Sequence, residues 1–215
     1  MYATMQRFGL SGTTRLDFPG EARGMIRQPD QWTSTDKAAI SFGQGFAVSG
    51  IQTITAFNAL VNGGQLIKPH LVKSISDASG RVVSVTQPVA GQQLISRQTS
   101  DLIVSMMKSV VMKGGTAETA YMDNYQVFGK TGTAQKIDPL TGRYSGGGYI
   151  SSFVGGIVDA TGKPVLTMMV TIDDPHPSYY ASVVACPAFK RITQKAVNIM
   201  DIRPLLTVAA KENQG

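Results

Sequence analysis

Three extended segments follow one another in the second half of the chain, Tyr125 to Gln135, Ile150 to Val158 and Val165 to Ile172. They are rich in β-branched and aromatic residues, and a glycine-rich connection, Gly142 to Gly148, separates the first two. Such a succession reads as an antiparallel meander. Beyond Pro187, which suits a first helical turn, Phe189, Ile192, Ala196 and Ile199 recur at helical spacing. That pattern predicts a closing amphipathic helix ending before Pro204.

The first half is less regular. Met1, Met5, Phe8 and Leu10 read as the end of a helix entering a turn, as though the chain begins in mid-structure. Ser11-Gly12 and Pro19-Gly20 are turn signals, and the segment to Trp32 reads as irregular. Ser49 with Gln52 forms a capping box, followed by Ile51, Ile54, Phe57 and Val61 at helical spacing until Gly63-Gly64. Pro69 to Val85 reads as a hairpin with strands Leu71 to Ile75 and Arg81 to Val85. A further helix starts near Ser96 and ends at Gly114-Gly115. Its apolar rows are Leu102, Met106, Val110 and Ile103, Met107, Val111; Asp101, Ser105 and Lys108 lie on its other face. With no linker or internal repeat, residues 1–215 read as one α/β (α+β) unit, mainly an antiparallel sheet flanked by helices.

Composition narrows the functional classes. An apolar share of 42% in 215 residues supports a packed core and argues against disorder. Cys186 is the lone cysteine, and only His70 and His176 accompany it, so neither an internal disulfide nor a clustered metal site is expected. The longest apolar stretches, such as Pro164 to Ile172, are too short to span a bilayer, and the N-terminus lacks a signal pattern. The net charge of +6 comes from scattered basic residues without interleaved aromatics, which reads as a solvated surface and not a nucleic-acid site.

The most informative run is Gly129-Lys130-Thr131-Gly132-Thr133, which places a cation, two hydroxyls and two glycines on one expected strand. At a sheet edge its free N–H groups would receive an extended peptide, and its glycines would allow close approach. Lys130 and the threonine hydroxyls would hold a carboxylate, and the Thr133 N–H would suit an oxyanion hole, worth about 3 kcal/mol in acyl transfer. On these five residues alone, an exposed strand lysine beside turn glycines is an equally good reading. A nucleotide loop fails, because Asn124 stands where its first glycine should and the segment continues extended beyond the lysine.

Around this run come Phe8-Gly9-Leu10, Pro19-Gly20-Glu21, Trp32, Phe42-Gly43-Gln44-Gly45 and the Gln52 helix, then Asn62-Gly63-Gly64, Lys68-Pro69 and Gly115-Thr116-Ala117. Gly142-Arg143-Tyr144, Asp174-Pro175, Tyr179-Tyr180 and Pro187-Ala188-Phe189 follow it. In this order they resemble the septal class B penicillin-binding proteins, the peptidoglycan D,D-transpeptidases that penicillin inhibits. The resemblance implies the penicillin-binding transpeptidase/β-lactamase-like fold, present only in part, with residues 1–215 as its C-terminal portion. It implies that Lys130 supports proton transfer and substrate binding, that Thr131 and Thr133 bind the substrate's terminal carboxylate, that Gly132 belongs to the same substrate-binding strand, and that Thr133 also serves catalysis. Tyr179 and Tyr180 would wall the pocket, with ordinary packing as the alternative.

The implied partners are a stem peptide ending in D-Ala-D-Ala, β-lactam antibiotics, the N-terminal half of the domain and cell-division proteins. No cofactor and no nucleic acid are implied. The parent would work at the periplasmic face of the bacterial inner membrane. The chain departs from the family pattern at Ser49-Gly50, where Thr-Pro is usual, at Asp173, where Asn is frequent, and at Cys186, where alanine is expected. Cys186 reads as a small buried residue unless its thiol is exposed to Lys190 or the helix N-terminus. The family's S-x-x-K and S-x-N elements belong upstream of Met1, and no S-x-N occurs in these residues. Ser34-Thr35-Asp36-Lys37 and Ser105-Met106-Met107-Lys108 match S-x-x-K in letters but not in context: the second lies deep in a helix on its polar face, and the first falls where the family is not catalytic.

Overall fold

A computed structural model describes residues 1–138, 140–141, 144 and 148–205. Gly142 and Arg143, and with them most of the expected glycine-rich connection, lie outside the described residues. Where the sequence reads as one unit, contacts divide the chain into two compact units, Met1–Asp101 and Leu102–Gly215.

The first unit begins with helix α1 (Tyr2–Arg7), which runs into a turn at Gly9, and continues irregularly to a short helix α2 (Asp36–Ser41). Helix α3 (Gly50–Val61) is capped as expected: Gln52 N–H donates to Ser49 Oγ at 3.3 Å and Ser49 N–H to Gln52 Oε1 at 2.8 Å. Gln52 is only 1% exposed, and its amide nitrogen donates to the carbonyls of Leu10 (3.1 Å) and Gly12 (2.6 Å). One side chain thus caps the helix and anchors the loop leaving α1. We expect Ser49→Ala to cost about 1 kcal/mol of stability, measured by urea unfolding; an unchanged midpoint would refute the role of the cap.

Strands β1 (Gln65–Ile67) and β4 (Ala90–Gln93) pair antiparallel, and β2 (Ser74–Ser76) pairs antiparallel with β3 (Val82–Val85). The expected hairpin is present, but its first strand starts at Ser74 rather than Leu71. The amides of Leu71 and Val72 are taken by the Asp17 carboxylate at 2.7 and 3.1 Å, so they make no ladder. These bonds hold the Asp17 carboxyl below its usual range. Helix α4 (Arg97–Val111) follows, its start secured by Thr99 N–H on Ser96 Oγ at 3.1 Å. Its buried positions are Ser100, Val104 and Val111, whereas Leu102 and Met106, expected in an apolar row, are 59% and 55% exposed.

The second unit is built on a three-stranded antiparallel sheet in the order β5 (Gln126–Gln135), β6 (Tyr149–Val158), β7 (Pro164–Asp173), the expected meander. Helix α5 (Ala181–Ile199) packs on one face. The edge-to-face pair Phe153 and Phe189, with ring centroids 4.7 Å apart, lies in a core with Val127, Ile157 and Ala185. The helix starts six residues earlier than Pro187, which it carries inside. Ala181, Ala185 and Cys186 are at most 2% exposed, and their burial holds the segment helical despite the donor that Pro187 lacks. Ile192 and Ile199, expected on the apolar face, are exposed; Thr193 and Val197 take the buried positions.

Candidate active site

All four residues expected to bind or catalyse on the motif lie on β5, whose only partner among the described residues is β6. β5 is therefore an edge strand. The phase of its hydrogen bonding decides which amides are free. The register Gln126↔Val158 to Gln135↔Tyr149 is unbroken, and beyond it Lys136 N–H donates to the Gly148 carbonyl at 3.0 Å. Antiparallel pairs alternate, so even-numbered residues from Gln126 to Lys136 bond to β6 and odd-numbered ones turn outward. Tyr149, opposite Gln135, accordingly gives its carbonyl to Asp174 N–H on the β7 side at 2.8 Å. The backbone N–H groups of Thr131 and Thr133 thus face the open edge.

The side chains gather at the same edge. Lys130 is exposed and its Nζ donates to the Thr131 carbonyl at 3.0 Å and to Thr131 Oγ1 at 3.2 Å. Thr131 Oγ1 in turn donates to Thr116 Oγ1 at 3.4 Å. Thr133 is exposed. A cation, two hydroxyls and two outward amides on a strand held rigidly from behind, with the Thr116 hydroxyl beside them, can bind a carboxylate and stabilise a developing oxyanion.

The two glycines differ. A Cβ at Gly129 would stand 2.5 Å from Phe153 Cζ and 2.6 Å from the Val154 carbonyl oxygen, so this glycine serves the close pairing with β6. At Gly132 a Cβ would meet only Ser152 Oγ, at 2.7 Å, so this position faces space that one side chain can vacate.

Tyr179 and Tyr180 lie near the far end of the strand. Ser151, opposite Thr133 on β6, donates its hydroxyl to the Tyr179 carbonyl. The Tyr179 ring stacks on Tyr149 at 4.1 Å and 12°, and the Tyr180 ring follows at 4.6 Å and 35°. Gln135 Nε2 donates to the Tyr149 hydroxyl at 3.2 Å. The bond to the Tyr180 hydroxyl, followed by the field of that neighbour, raises the Tyr179 phenol above its ordinary value. At neutral pH it therefore stays protonated and uncharged. Tyr149 and Thr116 were missed as site residues: Thr116 stands in a quoted motif with no role attached, and Tyr149 opens a strand with no signal that it meets Tyr179.

Neither S-x-x-K string is arranged for catalysis. Lys108 Nζ donates to Gln126 Oε1 at 2.7 Å, and Ser105 is exposed. Asp36 within the other string bonds Thr33 N–H and Arg27, and Ser34 and Lys37 are exposed. Cys186 is buried, and burial pushes its thiol up to about 11 against a weaker bond from Thr119, so it is no nucleophile at neutral pH. The described residues hold no cluster of three or more metal-ligating side chains.

The chain is similar to stage V sporulation protein D of Bacillus subtilis (strain 168), 32% identical over all of this chain and 33% of the relative. It is similar to the peptidoglycan D,D-transpeptidase FtsI of Escherichia coli (strain K12), 30% identical over 98% of the chain and 34% of that protein. It spans about a third of the length of these curated relatives. Among solved structures, penicillin-binding protein 3 of Mycobacterium tuberculosis complexed with ampicillin superposes with a TM-score of 0.85 at 26% identity, over 96% of this chain and 47% of that one. The transpeptidase domain of penicillin-binding protein 3 from Burkholderia pseudomallei gives 0.80 at 27% identity, over 96% and 59%. The family model described as the penicillin-binding protein transpeptidase domain matches residues 1–194, and with these likenesses and the antiparallel fold it follows that this chain belongs to that family.

Proposed function

We propose that residues 1–215 form the C-terminal portion of a peptidoglycan D,D-transpeptidase domain and supply the carboxylate-binding and oxyanion side of its site, while the nucleophilic serine is supplied by other residues. The outward amides of Thr131 and Thr133 beside Lys130, on an unpaired strand edge, carry this reading. A stem peptide ending in D-Ala-D-Ala adds to β5 as a further strand. Its terminal carboxylate is held by Lys130 and the hydroxyls of Thr131 and Thr133, and Tyr179 and Tyr180 wall the adjoining space. The serine hydroxyl attacks the penultimate D-Ala carbonyl, and the oxyanion accepts the Thr133 N–H. The peptide C–N bond breaks, the terminal D-Ala departs with the proton on its amine, and a serine ester remains. The amine of a neighbouring strand attacks that ester, forming the cross-link and returning the proton to serine.

Lys130 lies within reach of the carboxylate and supports the proton transfers. A β-lactam presents a carboxylate and a strained amide in the same relation, and the likeness to an ampicillin complex supports its acylating the same serine. The resemblance of its motifs to the septal class B proteins supports a place in septal wall synthesis, with cell-division proteins as partners at the periplasmic face of the inner membrane.

Fluorescent penicillin tests the reading. The full-length protein is expected to carry a covalent label through denaturing electrophoresis, and this chain alone to carry none. An unlabelled full-length protein would leave a noncatalytic peptidoglycan-binding module as the better reading. A label on this chain that vanishes in Ser34→Ala or Ser105→Ala would place the nucleophile within it.

A further inference from the structure

Several motifs of the first unit play no part in the β5 site, yet Phe8-Gly9, the Gln52 helix and Lys68-Pro69 meet around one cavity of about 260 Å³. We propose that this cavity is a second ligand site, separate in chemistry from the transpeptidase reading, which takes a small carboxylate borne on a compact apolar body.

Size and wall chemistry argue for the apolar body. Phe8, Leu66, Ile67 and Val89 line the cavity. An apolar cavity of about 150 Å³ holds benzene, so this one admits a fused pair of rings. The polar interior is already spent: the buried Gln52 gives its amide nitrogen to loop carbonyls and its oxygen to Ser49 N–H. A ligand therefore gains little from a polar group pushed deep.

Charge argues for the carboxylate. Arg15 and Lys68 line the cavity, no acidic residue does, and neither cation has a hydrogen bond or ion pair among the described residues. Arg15 is held there at a φ of +59°, a conformation that a non-glycine residue seldom adopts. Two carboxylates fix its loop: Glu21 accepts from the amides of Thr14 (2.5 Å) and Leu16 (3.3 Å), and Asp17 from those of Leu71 and Val72. Arg15 and Lys68 are both exposed at the mouth of the cavity, so a bound carboxylate would pair with one or both of them there by charge-assisted bonds.

The probe is 1-naphthoate, compared with neutral 1-naphthamide, by isothermal titration and amide NMR shifts on the full chain. Naphthoate is expected to bind saturably, shifting the amides of Leu66, Ile67 and Lys68, with naphthamide at least tenfold weaker. Arg15→Asn with Lys68→Gln should weaken naphthoate at least tenfold and leave naphthamide within twofold; asparagine tolerates the left-handed backbone at position 15. Thr55→Phe, which fills the cavity from α3, should abolish binding of both. Thermal melting of each variant separates a lost site from a lost fold. No saturable binding, unchanged binding in Thr55→Phe, or equal losses for acid and amide in the folded double variant would overturn the proposal.

Discussion

Lys130→Ala is expected to slow β-lactam acylation of the full-length protein by roughly 10- to 150-fold, while its melting temperature stays unchanged. The magnitude follows from hydrogen bonds to a charged group, worth about 1.5–3 kcal/mol each, at about 1.4 kcal/mol per tenfold in rate. The unchanged melting follows from where the side chain lies. Lys130 is exposed, and among the described residues its side-chain bonds go only to Thr131, the next residue along the same strand. Nothing in the core depends on it, since the face of the sheet that meets α5 is filled by Val127, Phe153 and Ile157. A slowed reaction in a normally melting protein therefore reports the ammonium in the site. Lys130→Arg should recover only part of the rate, because a planar guanidinium cannot reproduce a compact ammonium at one point. Equal acylation rates for wild type and Lys130→Ala would make the lysine a surface residue and remove the main support for the proposed chemistry.

What the sequence made legible was long and periodic. β5, β6 and β7 were readable to within a residue or so because each is a ten-residue run bounded by turn residues and carrying β-branched and aromatic side chains. The capping box was readable because Ser49 and Gln52 act on each other locally. The misses share a cause, which is that tertiary contacts decided them. β4 reads Ala90-Gly91-Gln92-Gln93, without a single β-branched residue, and forms because β1 offers it a ladder. The α5 start was hidden because Pro187 suits a first helical turn and Ser182, Val183 and Val184 before it are weak helix formers, until burial of Ala181, Ala185 and Cys186 decides the segment. Within the candidate site, Lys130, Thr131 and Thr133 stand out in sequence as a motif on one strand, whereas the direction of their amides does not. That direction depends on the phase in which β5 bonds to β6, and shifting it by one residue would turn the Thr131 and Thr133 amides inward. Tyr149 and Thr116 join the site through neighbours 30, 14 and 15 residues away.

The glycines of the motif give the sharpest separation between fold and site. Gly129→Ala is expected to destabilise the protein by about 3 kcal/mol, at the upper end for overpacking a filled interior. Its new Cβ would stand 2.6 Å from the Val154 carbonyl oxygen, 2.9 Å from Gly155 Cα and 2.5 Å from Phe153 Cζ. The first two atoms belong to the paired backbone and the third to a ring with no exposure, so none can yield without moving the ladder. A loss of that size is a large fraction of the 5–15 kcal/mol that holds a domain together. Gly132→Ala, three residues on, meets only the Ser152 hydroxyl, which can turn to another rotamer. Its stability should stay within about 1 kcal/mol of wild type, since any crowding is offset by the backbone entropy that glycine loses on folding. Position 132 shares a strand face with Lys130, so its methyl group projects on the side where the lysine lies. Urea unfolding of the two variants, with acylation rates measured at low denaturant, would read both effects. Equal unfolding midpoints would mean that β5 and β6 are not packed as closely as the Gly129 contacts require.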